Sequence, residues 1–146
     1  MALQKGKILT NLLEICELLK NYKTIAVVGV SPKENRDSYR VAKYLKETGY
    51  TMIPVRPAQE SILGEKAYPT LRVLAENKIS VDVINFFRRS DQIPAHVEEA
   101  ITTGAKVAWM QVGIENMEAA QSLMEAGLDI IMNRCIMIDH QDCPGL

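Results

Sequence analysis

Hydroxyl and cationic side chains are concentrated in one loop, directly after the apolar run 25–28. The apolar run 25–28 is short and rich in valine, which predicts a strand buried on both faces, and Gly29 lets the backbone turn after it. Backbone N–H groups and the positive end of a helix dipole meet at such a strand–glycine–helix junction. We therefore favour a phosphate site over a loop that is only solvated. The side chains that this junction offers are Ser31, Lys33, Arg36, Ser38 and Arg40, with Glu34 and Asp37 offsetting part of the charge.

Three further arginines follow the predicted second and third strands. Arg56 stands where an NAD-binding protein usually has an acidic residue that binds the ribose hydroxyls, and an arginine there suits a ribose carrying its own phosphate, as in NADP or coenzyme A. A side chain that simply faces water is an equally good interpretation of Arg56. Arg88 and Arg89 end the third strand, and we expect one of them to reach a phosphate, because the guanidinium fork fits that contact.

Groups that could perform acid–base or nucleophilic chemistry are scarce. The loop after the first strand contains a single glycine and does not match the dinucleotide pattern GxGxxG, and no Walker, HxE or serine-triad pattern is present. His96 is predicted to be a surface residue of a helix rather than a base, and His140 lies in the tail. Cys135 is expected to be a buried small side chain, and Trp109 and Met110 are expected in the core.

Five apolar runs alternate with segments of helical periodicity, which predicts an α/β protein. The strands are predicted at 24–30, 50–55, 81–87, 105–111 and 128–132, with helices at 38–48, 71–77, 91–103 and 117–126. Right-handed crossovers then give a doubly wound, five-stranded parallel sheet, for which we predict the order 3-2-1-4-5. Ligands bind such sheets where the winding reverses, here between the first and fourth strands. An additional amphipathic helix, 8–19, is predicted to pack on the sheet as part of an N-terminal unit, 1–22.

Composition narrows the class of protein. A chain of 146 residues suits one domain, 1–146, and a net charge of −1 provides no general attraction for nucleic acid or an anionic membrane. Three widely spaced cysteines, an odd number without a CxxC pair, argue against a disulfide framework and a zinc site. With no signal-peptide pattern and no long apolar run, a cytoplasmic protein is expected.

Short motifs along most of the chain resemble the small CoA-binding domain proteins, which are similar to the CoA-binding, Rossmann-like domain of the succinyl-CoA synthetase α subunit. The resemblance extends from Thr24 to Cys135. Its motifs are Val28-Gly29-Val30-Ser31-Pro32, Arg36-Asp37-Ser38-Tyr39-Arg40-Val41, Ile53-Pro54-Val55-Arg56-Pro57, Leu63-Gly64, Tyr68-Pro69-Thr70-Leu71, Phe86-Phe87-Arg88-Arg89, Gly104-Ala105-Lys106, Trp109-Met110-Gln111-Val112-Gly113 and Met132-Asn133-Arg134-Cys135.

The resemblance implies a site for coenzyme A at the crevice already located. The residues expected around the ADP phosphates are Gly29, Val30, Ser31, Pro32, Arg36, Ser38 and Arg40. Those expected elsewhere are Pro54, Val55 and Arg56 beside the adenosine, Phe87 and Arg88 along the cleft, and Gln111 and Gly113 on its far side. The chain departs from the family at Arg56, where asparagine is usual, and at Asn133, where aspartate is common.

Two functions from different classes follow, and a third is weaker. The first is a non-catalytic module that binds CoA or an acyl-CoA and serves as a sensor, a carrier or the partner of an acyl-CoA enzyme. The second is an NADP-linked or other nucleotide-using enzyme on the same fold, for which the sequence offers no obvious base. The third is a scaffold without a ligand that forms a homodimer through its N-terminal helix. Neither nucleic acid nor a membrane is an expected partner.

Overall fold

The computed structural model describes residues 5–146. The helices are α1 (Leu12–Asn21), α2 (Asp37–Glu47), α3 (Leu71–Glu76), a 3-10 helix (Ser90–His96) that leads into α4 (Val97–Thr102), α5 (Met117–Glu125) and α6 (Ile136–Gln141). The strands are β1 (Thr24–Val28), β2 (Thr51–Val55), β3 (Ser61–Ile62), β4 (Glu65–Lys66), β5 (Val83–Phe86), β6 (Val107–Met110) and β7 (Asp129–Ile131). Within this part of the chain, no helix has the length and apolar character that crossing a membrane requires.

The sheet is a sandwiched layer between two groups of helices. All five long strands run parallel, whereas β3 and β4 form a separate antiparallel hairpin. Alternate residues of each strand belong to different cores: Val27 packs with α1, α2 and α6, while its neighbours Ala26 and Val28 pack with α3, α4 and α5. Burial on both faces explains why the strands are continuous apolar runs. The predicted α/β class and the parallel five-stranded sheet are confirmed.

The predicted strand order 3-2-1-4-5 is wrong. The third long strand, β5, pairs with β1 instead of β2, so the order is β2-β1-β5-β6-β7. The outer edge of β2 is occupied by the connection that follows it: Tyr68 N donates to the carbonyl of Pro54 at 3.0 Å, and Arg56 N donates to the carbonyl of Tyr68 at 2.8 Å. Pro54 also has no N–H to offer at that edge, and proline is characteristic of edge strands.

The corrected order moves the point at which the winding reverses. Helix α2, between β1 and β2, packs on one face, and α3, between β2 and β5, packs on the other. The reversal therefore lies between β1 and β5, not between the first and fourth strands as predicted. The carboxyl ends that meet there are those of Val28 and Phe86, which are paired in register. This is the position where open α/β sheets bind their ligands.

The N-terminal helix is shorter than predicted. It begins at Leu12 instead of residue 8, because the side chain of Asn11 accepts hydrogen bonds from the N–H groups of Leu13 and Glu14 and fixes the start. Before it, Leu9 N donates to the carbonyl of Ile130, so this segment extends along the edge of β7. The first four residues of the predicted unit 1–22 lie outside the described part of the chain.

The cysteine spacing argued against a disulfide framework, but the structure contains one disulfide bond. Cys16 on α1 and Cys143 after α6 are bonded, with their Cα atoms 5.5 Å apart. The odd count of cysteines is explained by Cys135, which is free. The bond joins the two ends of the chain on the α1 side of the sheet, a pairing that their separation of 127 residues concealed.

Candidate ligand-binding site

Gly29 brings the carboxyl ends of β1 and β5 into close contact. Its φ is +86°, and a Cβ atom at this position would lie only 2.4 Å from the carbonyl oxygen of Phe87. Hydrogen bonds fix the strand ends around it: Gly29 N donates to the carbonyl of Val55, and Phe87 N donates to the carbonyl of Val28. The turn therefore needs glycine for its conformation and for its lack of a side chain.

A cavity of about 620 Å³ opens above this turn, and we call it the basic cavity. Its lining residues come from the loop after β1, the start of α2, and the ends of β2 and β5; they are Gly29, Ser31, Pro32, Lys33, Arg36, Asp37, Ser38, Arg56, Gln59 and Phe87. The loop is held in shape by its own hydroxyls. Ser38 Oγ accepts from Ser31 N at 2.9 Å, and Ser31 Oγ accepts from Lys33 N at 3.1 Å.

The start of α2 faces this cavity without a side-chain cap. Arg36 occupies the N-cap position and makes no capping hydrogen bond from its side chain, whereas α1, α3 and α5 are capped by Asn11, Thr70 and Asn116. The first N–H groups of an uncapped helix and its dipole attract an anion. Lys33 adds a cation to the same cavity, and the arrangement therefore favours a phosphate or another oxyanion.

Arg40 does not join this group, although it was predicted to do so. Its guanidinium pairs with Asp37 and donates to the carbonyl of Asn35 at 3.1 Å, on the exposed surface of α2. Asp37 is the one carboxylate among the residues that line the basic cavity, and its side chain is largely exposed. The cations that line the cavity are Lys33, Arg36 and Arg56.

A second cavity of about 390 Å³ adjoins the first at Gly29 and Arg56, and we call it the apolar cavity. Its apolar lining consists of aliphatic and proline side chains, namely Val28, Val55, Pro57, Pro69 and Leu71. Its polar lining consists of Arg56, Thr70, Arg88, His96 and Glu99. A partly apolar cavity next to a basic cavity suits a ligand with an aromatic ring at one end and phosphates at the other.

His96 and Glu99 form a hydrogen-bonded pair in the wall of the apolar cavity. His96 Nδ1 lies 2.8 Å from Glu99 Oε2, and Glu99 Oε1 accepts from Arg72 N at 3.2 Å. Burial alone would raise the pKa of Glu99, but the hydrogen bonds from His96 and Arg72 outweigh it and the pKa is lowered. Glu99 is therefore ionised and holds the imidazole in place. The prediction that His96 is a surface residue is wrong, since only 18% of its side chain is exposed.

The 3-10 helix explains why His96 was missed. The predicted single helix 91–103 is divided, because Pro94 lies in a 3-10 segment and α4 begins only at Val97. The bend places His96 at the junction, facing the cavity and near the ring of Phe86, with ring centroids 5.8 Å apart. The one pattern in the sequence that pointed to the pair is the spacing of His96 and Glu99 by three residues.

Besides Arg40, four predicted site residues line neither cavity. Gln111 is buried and structural: its Oε1 accepts from Asn85 Nδ2 at 3.2 Å and from Ile136 N at 3.0 Å. Gly113 N donates to Asn133 Oδ1 at 2.7 Å. Val30 and Pro54 are buried; the Val30 carbonyl accepts from Arg56 Nη1 at 3.2 Å, and the Pro54 carbonyl accepts from Tyr68 N at 3.0 Å. Nor do the described residues contain a cluster of side chains suited to a metal ion.

The two departures from the family pattern have structural roles. Arg56 lines both cavities, and its bond to the Val30 carbonyl positions it between them. Asn133 has a φ of +58°, a conformation that asparagine and aspartate tolerate, and its side-chain oxygen accepts a bond that a carboxylate could accept equally well. The change from aspartate to asparagine at this position therefore preserves the contact with Gly113.

Fold and site together define a Rossmann-like α/β protein with a phosphate-compatible loop after its first strand. The model of the CoA binding domain family matches residues 23–141, and the chain belongs to this family. The protein YneT of Bacillus subtilis (strain 168) is 43% identical over 127 residues, which cover 87% of this chain and 92% of that protein.

Two further similarities relate the chain to a solved structure and to an enzyme. A hypothetical protein from Pyrococcus horikoshii OT3 superposes with a TM-score of 0.87 at 41% identity, covering 93% of this chain and 94% of that one. The acetate–CoA ligase [ADP-forming] I of Archaeoglobus fulgidus is 28% identical over 124 residues. That match covers 78% of this chain but only 18% of the ligase.

Proposed function

We propose that this protein binds coenzyme A or an acyl-CoA without transforming it. The ADP phosphates occupy the basic cavity and the adenosine occupies the apolar cavity, so that Arg56 lies at the junction of the two. The observation that carries the proposal is the convergence, in one cavity, of the glycine turn, the uncapped start of α2 and the cations Lys33 and Arg36. Membership of the CoA binding domain family supports coenzyme A as the ligand.

The proposal assigns different roles to the arginines around the two cavities. Arg36 meets the phosphates together with the first N–H groups of α2. Arg56 and Arg88 both line the apolar cavity, and the 3′-phosphate on the ribose of CoA gives them an anion to bind. The chain would then serve as a sensor or carrier of CoA, or as the partner of an acyl-CoA enzyme. The match to a small part of a larger CoA ligase supports such a partnership.

Calorimetry with four ligands tests the proposal: CoA, dephospho-CoA, NAD and NADP, each titrated into the same protein. We expect saturable binding of CoA, with weaker binding of dephospho-CoA because Arg56 and Arg88 lose their anion. Binding of NADP in the absence of any response to CoA would overturn the proposal in favour of a nucleotide-using enzyme.

Two charge reversals on the same helix provide the matched comparison. Arg36→Glu should weaken CoA binding by about 1–3 kcal/mol, because it replaces a cation of the basic cavity with an anion. Lys43→Glu introduces the same charge change two turns further along α2, at an exposed residue that lines neither cavity, and its effect should be much smaller. Equal losses from the two variants would show that only the overall charge matters and that Arg36 does not contact phosphate.

A further inference from the structure

The imidazole of His96 contains a hydrogen-bonding atom without a partner. Its Nε2 is buried and has no hydrogen bond to any described residue, although the ring itself lines the apolar cavity. An unpaired polar atom in such a position costs free energy in the empty site and can recover it when a ligand supplies the missing partner. The question is therefore which kind of partner this atom can take.

Glu99 fixes the tautomer of the His96 ring and thereby determines whether Nε2 donates or accepts a hydrogen bond. Both carboxylate oxygens of Glu99 accept hydrogen bonds, one from Arg72 N and one at His96 Nδ1, so Nδ1 must carry a proton. In the neutral imidazole, Nε2 is then the unprotonated nitrogen and acts as an acceptor. The partner that His96 lacks is a donor N–H or O–H group.

The other polar side chains that line the apolar cavity differ from His96 in their hydrogen bonding. Arg56 and Arg88 can only donate, and Glu99 has both oxygens engaged. The Thr70 hydroxyl already accepts from Val73 N at the start of α3. Among the side chains that line this cavity, His96 Nε2 is thus the acceptor that has no hydrogen bond at all, and a ligand that presents an amino group can supply one.

We propose that His96, oriented by Glu99, recognises the 6-amino group of a purine in the apolar cavity, so that the site prefers adenine to a 6-oxo purine. The proposal rests on the function proposed above. A 6-oxo purine places a carbonyl oxygen opposite the lone pair of Nε2, so the hydrogen bond is replaced by repulsion. Nε2 is closed to water in the empty site, so the proposal requires a lining side chain to move when the base binds.

Calorimetry with CoA and its deaminated analogue, which carries hypoxanthine in place of adenine, tests this preference directly. The unmodified protein should bind CoA at least about tenfold more tightly, a difference of about 1.4 kcal/mol. His96→Phe keeps a planar ring but removes the acceptor. It should weaken CoA binding to the level of the analogue and leave the analogue's own affinity nearly unchanged. Glu98→Gln, an exposed substitution in the adjoining helix α4, is the control and should preserve the preference.

The outcomes separate this inference from the function on which it rests. Equal affinities of the unmodified protein for CoA and the analogue would overturn the role of His96 while leaving CoA binding intact. A preference that survives in His96→Phe would also overturn it. Binding of neither compound would overturn the proposed function and this inference together. The comparison of the two ligands in the unmodified protein does not depend on the folding of any variant. Nitrogen NMR of the histidines in the same protein provides a second measurement. The resonance of His96 Nε2 should shift on addition of CoA and not of the analogue.

Discussion

Replacing Gly29 with alanine should destabilise the protein by two separable effects. The residue has a φ of +86°, which costs an L-residue about 1–2 kcal/mol. The new methyl group would also lie 2.4 Å from the carbonyl oxygen and 3.2 Å from the carbonyl carbon of Phe87. These are backbone atoms, held by the hydrogen bond from Phe87 N to the Val28 carbonyl, so they cannot turn aside as a side chain would.

The size of the second effect follows from the cost of forcing a methyl group into a packed site, about 1–3 kcal/mol. Gly29→Ala should therefore lower the free energy of unfolding by about 2–5 kcal/mol. Gly113→Ala is the matched control, because its φ of +84° is nearly the same and nothing lies within 4 Å of the Cβ position. It should show only the conformational cost of about 1–2 kcal/mol.

Urea denaturation followed by tryptophan fluorescence measures both variants. Trp109 is the single tryptophan of the chain and is fully buried, so its emission reports the loss of the core. Midpoints can be compared as free energies if the slope of the transition does not change. Equal destabilisation of the two variants would refute the argument, because it would mean that β1 and β5 can separate at Gly29 at no cost.

Three further predictions concern contacts away from the cavities. Asp139→Asn should lower the free energy of unfolding by about 1–3 kcal/mol, because Arg134 donates two hydrogen bonds to the Asp139 carboxylate, at 2.7 and 3.0 Å. Asp142→Asn, an exposed neighbour, should have little effect in the same urea titration. Equal losses of stability in the two variants would contradict this prediction. Thiol titration of the unreduced, denatured protein should find one thiol, Cys135, whereas three would exclude the disulfide. Because the pKa of Glu99 is lowered in the folded state, its contribution to stability is present at neutral pH and is lost as the pH falls through that lowered pKa. The midpoint of thermal unfolding should therefore fall less steeply with acid in Glu99→Gln than in the unmodified protein. An unchanged acid dependence would contradict the pairing of Glu99 with His96.

The sheet could be predicted from the sequence because its strands are buried on both faces. Each of the five predicted strands contains an observed one, and the segments between them have the length of a crossover. The glycine turn and the start of α2 were also predictable, since they follow directly from residues adjacent in the chain. The local sequence pattern could not predict which strands and side chains lie next to each other in the folded protein. Arg36 and Arg40 lie one helical turn apart and have the same side chain. The ion pair with Asp37, which holds Arg40 on the exposed surface of α2, is what distinguishes them.

The error in strand order and the wrong placement of His96 at the surface have one cause. In the order 3-2-1-4-5, the chain leaving the third strand would lie at the far edge of the sheet, away from Gly29, and His96 would face solvent. In the observed order β5 lies beside β1, so the segment that follows it, with Arg88 and His96, forms a wall of the apolar cavity. The same shift moves β6 one strand away from β1, which explains why Gln111 supports the core instead of closing the cleft. Pro54 was the residue that could have corrected both errors, because a proline in a strand indicates an edge and leaves β5 only the other side of β1.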